Sequence, residues 1–298
     1  MKRNAFIGML LMGLTTMLSA QSKVHVSEIE ERNVDGQKVI YSKGQKMNGT
    51  VYEDYVSKKL RYSVKNGVKE GPYELYYANG QLKRKTWFKN DRYDGLFKEY
   101  YENGQLSIQT SFKEGKYDGP LVRYYENGEI EAKGFQREGV YEGAQEKYYP
   151  SGQLKSGISY LNGKKQGLSV KYYENGNLKE RSNYANDRLE GTYEHFYEDG
   201  TPYIRTEYAE GVKDGEFEMY HENGRLKRKG QYRQGKEEGP FEIYYPSGML
   251  KRKGFFRQGR LDGESESYDE KGRLIEKSIY KNGQEVSSKN TDISFKKA

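Results

Sequence analysis

The chain has 298 residues, of which 30 are Tyr and 35 Gly, with 32% charged residues and a formal net charge of +7. Only 34% of its residues are hydrophobic and its mean hydropathy is −1.10, which excludes one large apolar core, while aromatic residues at fixed intervals exclude disorder. It contains no cysteine, which excludes disulfides, thiolate chemistry and a lipid-modified N-terminal cysteine; the mild positive charge permits anionic partners without demanding nucleic acid.

Residues 1–20 read as a signal peptide. Lys2 and Arg3 form a positive start, an apolar stretch of 14 residues runs from Ala5 to Leu18, and the small pair Ser19-Ala20 precedes a polar chain. That stretch is shorter than the ~20 residues a membrane-spanning helix needs. The expectation is export to the periplasm, the cell envelope or the medium, and loss of the leader takes the charge from +7 to +5. Residues 21–48 read as an irregular polar lead-in with short apolar alternations such as Val39-Ile40-Tyr41. Residues 49–70 form a degenerate unit that keeps Leu60, Tyr62 and Gly67 but lacks the middle Asn-Gly, as a capping repeat would.

Nine units of 24 residues then fill 71–286, led by Gly71, Gly95, Gly119, Gly143, Gly167, Gly191, Gly215, Gly239 and Gly263. A second glycine series follows nine residues behind, from Gly80 to Gly272. With the leading glycine as position 1, position 6 is aromatic in every unit, position 7 is Tyr in seven, position 12 is Leu or Ile in eight and position 18 is aromatic in eight. Two aromatic-rich runs bounded by Gly and Asn predict strands at positions 2–7 and 11–18, with a six-residue connector between units. Residues 287–298 are polar and read as a loose tail.

The turn between the strands follows from its variants. Two units read Tyr-Pro-Ser-Gly, at Pro150 and Pro246; proline suits the first central position of a type I turn and serine resists the positive φ of a type I′ turn. A type I turn closed by a left-handed glycine places position 6 opposite 12. One face then carries positions 6, 12, 16 and 18 and pairs Glu74 with Arg84, Glu218 with Arg228 and Glu242 with Arg252. The other carries an aromatic at 3, Tyr at 7 and Lys or Arg at 13 and 15. The predicted fold is all-β: an elongated single-layer antiparallel sheet, a meander of tandem 24-residue β-hairpins. Eighteen strands at ~4.8 Å each extend about 85 Å.

The unit Gly-x-x-x-x-Tyr-Tyr-Glu-Asn-Gly-x-Leu-Lys, clear in residues 172–191 and 220–239, resembles the MORN-repeat variant of bacterial proteins, the family that includes YwqK-type antitoxins. The resemblance covers residues 49–286. It implies a non-catalytic hairpin array used for protein or lipid contacts. It also raises an antitoxin or immunity role, which an exported chain could play only against an exported toxin.

Function classes narrow accordingly. His25, His195 and His221 are the only histidines, and the latter two read as ordinary strand residues. The acids at positions 8 and 24 recur evenly as turn formers and solubilising charges, whereas a glycosidase needs one unlike pair in a cleft. No catalytic, metal or cofactor site is expected, and neither a nucleic acid nor a small-molecule substrate. The candidate binding face combines Tyr77, Tyr101, Tyr125, Tyr149, Tyr173, Tyr197 and Tyr245 with Lys83, Lys85, Lys227, Lys229, Lys251 and Lys253. Such an aromatic and basic surface suits a protein partner or an anionic membrane or envelope surface, bound through many weak contacts. A cell-wall or glycan-binding module is the alternative, against which the single tryptophan, Trp87, counts.

Overall fold

The computed structural model describes residues 22–55 and 58–290; the leader and residues 291–298 of the tail lie outside them. The strands form one 27-stranded sheet, with a separate three-stranded sheet near the N-terminus. Each unit adds two antiparallel strands, as Gly95–Tyr100 and Leu106–Lys113 do in unit 2. The expected turn forms: the Gly104 N–H donates to the Tyr101 carbonyl at 2.9 Å, and Tyr101 N–H to the Gln105 carbonyl at 2.8 Å. Gly104 sits at φ 86°, a backbone open to glycine at little cost. The Asn103 carboxamide oxygen closes the turn by accepting from Gln105 N–H at 2.8 Å.

Beyond the turn the structure corrects the register. Position 6 faces 12 as expected (Tyr76 opposite Leu82), but Leu75 faces Arg84, leaving Lys83 as an extra residue. This β-bulge at position 13 recurs from unit to unit. One added residue reverses every side chain after it. Positions 14, 16 and 18 therefore join 3, 5 and 7 on one face, and position 15 joins 4, 6 and 12 on the other. The expected pairs Glu74–Arg84, Glu218–Arg228 and Glu242–Arg252 do not face each other; Glu74, Glu218 and Glu242 face Lys85, Lys229 and Lys253. Charge explains the choice. At position 4 the unbulged register would oppose three unlike pairs but set Glu266 against Glu276, whereas the observed one opposes five unlike pairs there and no two acids.

The bulge also sets each position-3 ring over a small position-16 residue. Tyr73 faces Thr86, Phe97 faces Thr110 and Phe217 faces Gly230. The rings Tyr62, Tyr73, Phe88, Tyr93, Phe97, Phe112 and Tyr117 follow one another at centroid distances of 4.4–6.3 Å. Thr206, at position 16, is 1% exposed and its hydroxyl has no protein acceptor. Thr206→Val keeps the branched shape and removes that buried hydroxyl, so it is expected to raise stability by about 1 kcal/mol in denaturant titration.

The six-residue connector is a second hairpin turn instead. Positions 20 and 21 both have positive φ, as in Glu114 (52°) and Gly115 (82°), and Lys116–Tyr117 returns along Phe112 and Lys113. Position 20 is never glycine, yet it is left-handed in all nine units. The acid at position 24 of the preceding unit supports it: Asn90 N–H donates to Glu70 at 2.9 Å and Gln258 N–H to Glu238 at 2.7 Å. These carboxylates act as the turn formers expected at position 24, by accepting from the backbone of the neighbouring turn.

Both ends differ from the sequence reading. The lead-in is ordered: Ser22–His25 pairs in parallel with Gly49–Tyr55, and the strands Ile29–Val34, Gln37–Ser42 and Gln45–Lys46 form the small sheet. Ile40, Met47, Val51, Tyr62 and Val64 make a hydrophobic core there, with Val24, Val26 and Ile29 packed against it. Short runs such as Val39-Ile40 suffice because they close over the array's first strands rather than build a domain alone. At the other end, residues 287–290 continue the strand Gln284–Asn290 instead of trailing loose.

Candidate binding face

The tyrosines at position 7 lie just before each turn, and their hydroxyls reach the next unit. Tyr77 donates to the Tyr100 carbonyl at 2.7 Å, Tyr101 to Tyr124 at 2.7 Å, Tyr125 to Tyr148 at 2.8 Å and Tyr149 to Tyr172 at 2.7 Å. Tyr173 reaches Phe196 at 2.8 Å, Tyr197 reaches Tyr220 at 3.5 Å and Tyr245 reaches Tyr268 at 2.9 Å. Where unit 7 has histidine, the His221 Nε2 lies 3.0 Å from the Tyr244 carbonyl and takes the same place. Burial raises the phenol pKa of Tyr77, Tyr101, Tyr125, Tyr173 and Tyr197, helped by nearby glutamates. The row serves first as struts between hairpins; ring faces remain for contact.

The six lysines divide between the two faces. At the bulge, the ammonium groups of Lys83 and Lys251 lie 5.1 and 5.3 Å from the Tyr77 and Tyr245 ring centres, and Lys155 and Lys179 cover Tyr149 and Tyr173 in the same way. Lys227 occupies the equivalent bulge beside His221 and is exposed. Lys85, Lys229 and Lys253 stand on the opposite face and are ion-paired, with Glu74 at 3.0 Å, Glu242 at 2.7 Å and Glu266 at 2.9 Å. Lys229 and Lys253 belong to an alternating ladder, in which Arg181, Glu194, Arg205, Glu218, Lys229, Glu242, Lys253, Glu266 and Lys277 face one another strand by strand, whereas Lys85 faces Lys98 on its other side. The bulge therefore separates three of the lysines from the tyrosines they were grouped with.

Three of the four acids in this ladder also accept from a position-6 phenol: Glu266 from Tyr268 at 2.5 Å, Glu218 from Tyr220 at 2.7 Å, and Glu242 from Tyr244; Glu194 has Phe196 in that place and accepts from Arg181 instead. The phenol and Lys253 together lower the Glu266 pKa to about 2, and the carboxyls of Glu74, Glu146 and Glu242 are lowered by the same kinds of partner. A depressed carboxylate pKa contributes stability that is complete above the ordinary value of 4.5 and is lost as pH falls through the folded value. The melting temperature is expected to hold above pH 5 and to fall between about pH 4.5 and 2, and Glu266→Gln should flatten part of that fall. A melting curve unchanged down to pH 2 would contradict the pairing.

On the tyrosine face, units 3 to 5 break the aromatic row. Position 3 holds Leu121, Gln145 and Ser169 there, where units 1, 2, 6, 7 and 8 hold Tyr or Phe. An open groove of about 550 Å³ lies over these units, lined among others by Arg123, Lys147, Lys171 and Tyr160. The cations escaped the sequence reading because position 5 has no consensus residue; the run of lost rings at position 3 was the available signal.

A single-layer hairpin array with side-chain struts between units defines a solenoid-like repeat protein, built by stacking equivalent neighbours. The profile of the MORN repeat variant family matches residues 69–90, 93–114, 117–136, 141–162, 165–186, 189–210, 213–234, 237–258 and 261–282. The chain belongs to that family. Among curated proteins none matches it. Of solved structures, the TcdB2-TccC3-Cdc42 crystal structure aligns at 14% identity over 78% of this chain, with a TM-score of 0.18. The chain spans only 14% of that protein's length. A porin-like protein from Bacteroides uniformis aligns at 10% identity over 80% of this chain and 92% of its own, with a TM-score of 0.14. TM-scores this low carry no argument about fold or function.

Proposed function

We propose that the protein is exported, non-enzymatic, and works as an extended interaction surface for a protein partner or an anionic surface of the cell envelope. The observation that carries this reading is the employment of its repeated polar groups. Tyrosine hydroxyls at position 7, acids at position 24 and the charge ladder all hold neighbouring units together. The side chains left over are exposed lysines, ring faces and the groove, which suit contact rather than bond making or breaking. Weak contacts repeated along a rigid array sum to useful avidity. The leader-like residues 1–20 support export.

Fractionation of native cells followed by cross-linking tests both halves of the reading. The expected result is a leaderless chain in the envelope or medium, cross-linked through lysines on the tyrosine face. A full-length chain confined to the cytosol would overturn export. Cross-links absent from every fraction would overturn the contact role.

A further inference from the structure

The groove over units 3 to 5 has its own charge pattern. One cross-strand row on its floor runs Arg123, Ala132, Lys147, Ser156, Lys171. Lys171 meets an acid on its far side, Glu180 at 3.0 Å. Arg123 faces Ile108 and, across the bulge, Ala132 with Glu131 beside it, and Lys147 faces Ala132 and Ser156; among the described residues neither cation is held in an ion pair. Of the acids lining the groove, Glu131 stands at the bulge of unit 3, and Glu146 is paired with Lys133 at 2.8 Å. The three cations recur every second strand, ~10 Å apart.

Rings flank this row. Tyr141 and Tyr160 lie 5.3 Å apart, Tyr141 is 43% exposed, and Lys165 covers Tyr184 at 5.0 Å. The backbone N–H and C=O groups beneath are committed to neighbouring strands, so a ligand crossing the strands is held by side chains alone. A peptide would leave its own amides without sheet partners. A sugar chain offers hydroxyls to Ser156 and Gln145, ring faces to the tyrosines and carboxylates to the cations.

We propose that this groove binds an acidic polysaccharide in which a carboxylated sugar alternates with a neutral one. The ~10 Å interval set by two inter-strand spacings suits one charge per two sugars of an extended chain. The proposal rests on reading the protein as an interaction surface and adds the ligand class and the place where it binds.

The test is calorimetric titration of the full chain with a hyaluronan hexasaccharide, whose glucuronates alternate with neutral sugars, and with hexaglutamate. The hexasaccharide is expected to bind more tightly. Arg123→Gln and Lys147→Gln should each weaken it about tenfold, as loss of a charge-assisted contact does. Tyr160→Leu should weaken it as well, and the ladder variant Lys229→Gln/Lys253→Gln should leave it unchanged. Both groove cations are exposed, so circular dichroism should show each variant folded. Hexaglutamate binding equally well with no effect of Tyr160→Leu would replace the polysaccharide by an acidic peptide. Loss through the ladder variant, or no hexasaccharide binding, would overturn the groove. Cross-linked partners in the envelope fraction would in those cases still uphold the broader reading.

Discussion

Gly49→Ala is expected to unseat the N-terminal cap while leaving the distant repeats folded. Gly49 sits at φ 138°, and a Cβ there would lie 2.1 Å from the Ser22 carbonyl oxygen and 3.0 Å from its carbon. Those are backbone atoms of the strand Ser22–His25, which pairs in parallel with Gly49–Tyr55, so the conflict has no side chain to absorb it. Displacing that strand removes Val24 from the core, and Val26 and Ile29 follow it. Left-handed strain and lost burial together should weaken cap docking by about 3 kcal/mol or more. Hydrogen exchange should accelerate in residues 22–55 and remain slow in units 5 to 9, because each repeat senses only its neighbours. Gly36→Ala is the control: φ is 81° but nothing lies within 4 Å of the added carbon. It should cost only the ~1 kcal/mol of a left-handed alanine. Acceleration along the whole array would show that the cap governs global rather than local stability.

Much of this architecture was legible in the chain, for reasons that can be named. The Tyr-Pro-Ser-Gly variants fixed the turn, because proline and serine tolerate few backbone angles, and Gly80 to Gly272 are left-handed as that turn requires. The bulge at position 13 was not legible from backbone preference, since Lys83, Ser107, Glu131 and Tyr203 share no conformational need. It is chosen by tertiary terms, namely a ring at position 3 over a small residue at 16 and Glu opposite Lys across the ladder. The same limit applies to function. Tyr77 and Lys83 lie together because they flank one turn, whereas a single residue of register carries Lys85 to the opposite face. The order of the lead-in that packs on the capping repeat was not legible, because the alternations in residues 21–48 are too short to look like a core. They become one only against Val51, Tyr62 and Val64.

Removing 24 residues should harm the protein less than removing 12. Deletion of residues 191–214 joins Glu190 to Gly215 and preserves every inter-unit offset. Tyr173 then meets the Tyr220 carbonyl in place of Phe196, Glu190 meets the Gln234 N–H in place of Glu210, and Arg181 meets Glu218 in place of Glu194. The shortened array should unfold in one transition within about 5 °C of the parent. Deletion of residues 203–214 keeps the turn at Gly200 but feeds a first strand into the place of a second. Glu218 then takes the place of Thr206, which is 1% exposed, and Phe217 falls opposite Glu194 in the charge ladder. A carboxylate buried without a partner costs on the order of several kcal/mol. Every later turn also moves to the opposite edge of the sheet, away from the struts of Tyr149 and Tyr173. The 12-residue deletion should lose hydrogen-exchange protection from unit 6 onward while units 1 to 4 keep theirs. Equal stability of the two deletions would mean that hairpins dock without regard to face, and the 24-residue period would then have no energetic basis.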